Sequence, residues 1–173
     1  MTLSAIEARQ TLGRKASALI GGSGSAGERR ALAFAHALAN TPPLRPTFDD
    51  IATAPAWLGF ERTAQRDLAR RVALVSMADS VAASIDGDWL LTLAKSAGED
   101  AMDNAMAHAG SGPATAMPPV EAEGLERRGF GLLAASLSDP LRGLIAWADV
   151  DPAADFDRQA ASACVAFAAG GDR

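Results

Sequence analysis

The first place where residue types and spacing can do chemistry is Gly22-Ser23-Gly24-Ser25-Ala26-Gly27. It fits G-x-G-x-x-G, in which glycines let the backbone approach a pyrophosphate at the start of a helix. A dinucleotide fold also needs a strand before that loop and another after its helix. Arg14–Ile20 instead carries helical spacing, and Pro42, Pro43 and Pro46 break the chain where the second strand would have to lie. Asp49 and Asp50 lie at a passable distance for a ribose-binding acid, so the cofactor reading stays beside that of a flexible helix–helix linker. The linker is the preferred reading, and no cofactor is assigned.

Asp100, Asn104 and His108 fall at i, i+4 and i+8, where one helix face can present oxygen and imidazole ligands to a divalent metal. Met102, Ala105, Met106 and Ala109 mark the apolar face of that helix, which turns the polar trio towards water. No second helix with matching acids is evident, and no metal is assigned. His36 lies among alanines and leucines and reads as a satisfied or partly exposed histidine rather than a catalytic one. The serines and aspartates are spread over caps and loops, so no nucleophile, base and orienting group can be assembled and no catalytic residue is named. Cys164, the one cysteine, sits beside Val165 and Phe167 and reads as a buried structural thiol.

The arginines of Glu61–Arg71 read as a solvated helix face, with partner contact as the alternative. Just before them, Trp57 and Phe60 come after a proline-rich connector. Aromatic anchors flanked by arginine are residue types enriched at interface centres, so these two are the candidate partner-binding residues. The competing reading is that both rings close the core over the connector.

These side chains need elements to position them. The chain has 173 residues, is 49% hydrophobic and has no tyrosine. Much of its apolar content is alanine, which favours helices and fills strands poorly, so an all-α fold is expected, in one compact domain of about seven or eight helices. Residues 1–55 would supply N-terminal helices and the connector, and 56–173 the main helical core. Ser4-Ala5-Ile6-Glu7 and Ser25-Ala26-Gly27-Glu28 are capping-box patterns opening helices to about Ile20 and Ala39. Thr47–Asp50 can cap a short turn. Leu68, Val72, Val75, Ala78 and Ala82, widened by Val81 and Ile85, make one long apolar stripe. Gly87 then suits the end of that helix and Asp88 the cap of the next, with Trp89 expected in the core. Further helices are expected over Glu99–Ala109, from Pro119 and Glu121 towards Leu137 (loosened by Gly124, Gly129 and Gly131), over Leu141–Ala148 and over Ala153–Ala169.

The formal net charge of −5, with both signs mixed along the chain, argues against unspecific nucleic-acid binding and against a transcriptional regulator. Charges in the first segment argue against a secretion signal, and no apolar run approaches the roughly 20 residues that span a bilayer. A cytoplasmic address with no membrane insertion is expected.

The order Val72–Leu74, Ile85-Asp86-Gly87, Leu90 to Leu93, Gly98-Glu99-Asp100-Ala101, Ala105 and His108, ending at Gly112-Pro113, resembles the YscK-like family. Gly129-Phe130-Gly131-Leu132-Leu133-Ala134-Ala135 and Leu137-Ser138-Asp139-Pro140 extend the likeness, which covers roughly Leu68 to Leu144. Those proteins are cytoplasmic accessory components of the type III secretion sorting platform. The resemblance implies a helical adaptor between membrane-ring cytoplasmic domains and the platform pods, and it designates no contact residue. The expected function is therefore a non-enzymatic adaptor for protein partners. The alternative is a small helical ligand-binding domain or enzyme with a pocket near the Gly22–Gly27 loop.

Overall fold

The computed structural model describes residues 47–142 and 156–170. All regular structure among them is helical, as the alanine-rich composition requires. In order these are helices α1 (Phe48–Ala52), α2 (Arg62–Ser76), α3 (Ala78–Ala83), α4 (Gly87–Ala97), α5 (Glu99–Ala107), α6 (Leu125–Ser136), α7 (Asp139–Arg142) and α8 (Arg158–Gly170), with 3₁₀ turns at Ala56–Gly59 and Ala122–Gly124. None is long and apolar enough to cross a membrane. The two helices expected before residue 40, the Gly22–Gly27 segment, His36 and most of the helix expected over Leu141–Ala148 lie outside the described residues.

Contacts divide the chain into two units: 1–62 with 138–148, and 63–137 with 149–173. In the first, Thr47 and Asp50 form a reciprocal capping box that starts α1. Helix α1 contacts α7, and Ala54, Trp57, Leu58 and Leu141 are buried.

In the second unit α8 packs along α6 and reaches α5, while α5 also packs on α3 and α4. Val72, Leu74, Val75, Leu93, Leu125, Phe130, Leu132 and Leu133 are withdrawn from solvent. Gly129 fixes how closely α6 approaches α2: a β-carbon there would lie 1.8 Å from the carbonyl oxygen of Ala69. At Gly131 it would lie 2.7 Å from the Phe156 ring. These glycines do not loosen α6; they let neighbours approach it more closely than any side chain would allow. Glu126 of α6 reaches back to α2, pairing with Arg70 and lying 3.7 Å from Arg66.

Several boundaries differ from the sequence pattern. The stripe from Leu68 to Ile85 is two helices, broken at Met77 (φ −121°, ψ 24°). Ala82 and Ile85 leave the apolar face and are exposed. Asp86, not Asp88, caps α4 by accepting from the amide of Trp89 at 3.1 Å, and Gly87 is the first residue of that helix rather than the end of the previous one. Helix α6 begins after the Ala122–Gly124 turn rather than at Pro119. Helix α8 begins at Arg158, with Asp157 accepting from the amide of Ala160 at 2.8 Å.

Candidate functional site

Several polar groups of the second unit meet residues 110–120, which pass beside the α2–α3 break. The amide of Met117 donates to the carbonyl of Ser76 at 2.9 Å, and the amide of Asp79 donates to the carbonyl of Thr115 at 3.1 Å. A segment inserted this way interrupts a helical ladder as effectively as proline does. The Asp79 carboxylate takes the Gly110 amide at 2.7 Å and lies 2.9 Å from Oγ1 of buried Thr115. Val120 donates to the Met77 sulfur at 3.4 Å, and Arg128 of α6 donates to the Pro118 carbonyl. Positive φ at Gly110 (77°) and Gly112 (105°) supplies turns that other residues rarely adopt. The loop is thus a strap tied to α2, α3 and α6.

Cys164 completes this arrangement from α8, its thiol donating to the Ala114 carbonyl at 3.0 Å. Burial pushes the thiol pKa up to about 11, which keeps it protonated and inert. The reading of Cys164 as a buried structural thiol agrees with its position.

Asp100, Asn104 and His108 do not form one solvated face. Asp100 is exposed, but Asn104 donates to the Phe167 carbonyl at 3.4 Å, and the His108 ring stacks on the Phe167 ring at 4.4 Å. Two of the three therefore serve the α5–α8 contact. Among the described residues no three His, Cys, Asp or Glu side chains gather as a metal site. Asp50, weighed as a ribose-binding acid, is occupied by the α1 cap. Hydrogen bonds from the Thr47 side chain and then its backbone hold the Asp50 carboxyl below its ordinary value.

Of the two partner-binding candidates, the structure buries Trp57 (5% exposed) in the Ala56–Gly59 turn and leaves Phe60, at the end of that turn, partly exposed. Trp57 thus sits where the core alternative puts it, and accessible aromatic area remains at Phe60. The expected solvated arginine face is only partly so. Arg66 is exposed, whereas Arg70 is partly buried and takes Glu126.

The largest exposed apolar side chains lie elsewhere, where sequence periodicity placed a core. Ile85 is 102% exposed, Leu91 54% and Met106 47%, and Trp89 is only partly buried. Ile85 precedes the cap Asp86, a position from which an apolar residue often packs on the fourth residue of the helix, here Leu90. The full exposure of Ile85 leaves that staple unmade. The signal available in the sequence was Asp86 itself, since a cap there ends the upstream stripe before Ile85.

Fold and surface together define an all-α helical chain. Compared with known proteins, it matches no family model, no curated protein and no solved structure.

Proposed function

We propose that the chain is a non-enzymatic, cytoplasmic helical adaptor that works by presenting helix surfaces to other proteins. The observation that carries this reading is the exposure of two large apolar side chains, Ile85 in the link between α3 and α4 and Leu91 on α4, while Val81 and Leu93 on those helices are buried. Exposed apolar side chains grouped on a surface are the usual material of protein contacts. The resemblance over Leu68–Leu144 supplies the system: an accessory component of a type III secretion sorting platform, between membrane ring and pods. Binding would be reversible and cofactor-free. Pull-down of purified sorting-platform and membrane-ring components by the full chain tests it. Capture of one of them is expected, and failure to bind any would end the adaptor reading.

A further inference from the structure

We infer that the α3–α4 corner, Ile85 to Leu91, docks a basic amphipathic helical segment of a protein partner, a statement that rests on the adaptor reading and specifies its contact. The corner is a short stretch of chain in which most residues are exposed. Ile85 projects fully into solvent, and Leu91 stands exposed about one turn into α4. Asp86 and Asp88 lie between them, both exposed.

Two local hydrogen bonds shape the backbone at this corner. Ser84 Oγ accepts from the amide of Asp86 at 3.1 Å, and the Asp86 carboxylate accepts from that of Trp89 at 3.1 Å.

Charge selects the occupant. Over α3–α5 the exposed carboxylates are Asp86, Asp88, Glu99, Asp100 and Asp103, and Lys95 is the exposed cation. Helix α5, which carries three of those acids and exposed Met106, packs directly on α4. Such a surface repels nucleic acid and anionic lipid and attracts lysine- and arginine-bearing segments. Exposed apolar groups among these acids fit a helix with an apolar stripe and basic flanks.

The test uses the full chain and a fluorescein-labelled peptide of leucine and lysine at helical spacing, with a counterpart carrying glutamate for every lysine. Fluorescence anisotropy should show saturable binding of the lysine peptide that weakens with added salt, and none of the glutamate peptide. The double variant Ile85→Ser/Leu91→Ser removes exposed side chains, so its melting temperature should be unchanged while affinity falls at least about tenfold. Asp88→Asn/Asp103→Asn should weaken binding at low salt and matter little at high salt. Equal binding by the double serine variant would reduce the attraction to charge alone and overturn the proposal, as would equal binding of the glutamate peptide or no binding of the lysine peptide. A platform component whose capture survives Ile85→Ser/Leu91→Ser would leave the adaptor reading standing and move its contact away from this corner.

Discussion

The Asp79 carboxylate accepts the amide of Gly110 at 2.7 Å across thirty-one residues, tying the start of α3 to the loop after α5. The same carboxylate lies 2.9 Å from Thr115 Oγ1, which is equally close to the Gly112 carbonyl and can give its one proton to either. Removing Asp79 leaves the Gly110 amide to find another acceptor and the buried Thr115 hydroxyl with the Gly112 carbonyl alone. Asp79→Ala should cost about 1–3 kcal/mol in denaturant unfolding. Amide exchange should accelerate at Gly110. A double-mutant cycle with Thr115→Val should give a coupling of about 0.5–3 kcal/mol, and strict additivity would mean that the two act independently.

Gly129 and Gly131 separate two kinds of close approach. At Gly129 an added methyl group meets backbone, the Ala69 carbonyl, so α2 and α6 must move apart. At Gly131 it meets the edge of the Phe156 ring, which can rotate away. Alanine gains about 1 kcal/mol over glycine in a helix interior, and overpacking costs about 1–3 kcal/mol. Gly129→Ala should therefore be clearly destabilising and Gly131→Ala near neutral, read as a difference in urea midpoints. Equal effects would contradict the backbone contact.

That contrast also marks what was legible in the sequence. Helical class, the Thr47–Asp50 cap and the burial of Cys164 come from local composition and capping chemistry, and all three are present. The break at Met77 was not legible, because no proline or glycine signals it. Its cause is a segment forty residues downstream, whose Met117 amide takes the Ser76 carbonyl. Ile85 was misplaced for the same reason: periodicity assumes an unbroken helix, and the break at Met77 and the cap at Asp86 remove Ile85 from the stripe. Gly129 reads as a weak helix residue until the position of Ala69 is known. As for the candidate site, the aromatic composition near residue 57 was legible, but composition cannot say which ring turns inward.

Cys164 gives a pH dependence with a definite sign. Its pKa is raised from 9.0 to about 11 by burial, so between these values the unfolded chain loses the thiol proton and the folded chain keeps it. The unfolded state then binds fewer protons, and stability falls as pH rises through that window. Below the lower value the thiol contributes no slope. Cys164→Ala should flatten this alkaline loss while leaving the neutral-pH profile parallel to wild type. Ellman's reagent at pH 8 should label the native thiol only as fast as the protein opens, and prompt labelling in native buffer would show that the thiol is accessible.

Trp57 and Phe60 divide the two roles considered for them. Trp57 is buried, so truncation removes a large apolar surface and leaves a cavity that the short Ala56–Gly59 turn has few side chains to fill. Trp57→Ala should cost about 3–5 kcal/mol, and any loss of partner binding should track the loss of fold. Phe60 keeps part of its ring accessible, and its amide donates to the Trp57 carbonyl at 3.1 Å whatever side chain it bears. Phe60→Ala should therefore leave the backbone in place and lower the melting temperature only slightly. If Phe60 is an anchor, the same variant should weaken capture of platform components by the full chain. Thermal melts and pull-downs on both variants separate the cases. Reduced capture by Phe60→Ala at an unchanged melting temperature supports an interface at the end of the turn. Full capture by Phe60→Ala removes Phe60 from the interface, and a melting temperature unchanged in Trp57→Ala would contradict the burial of that ring.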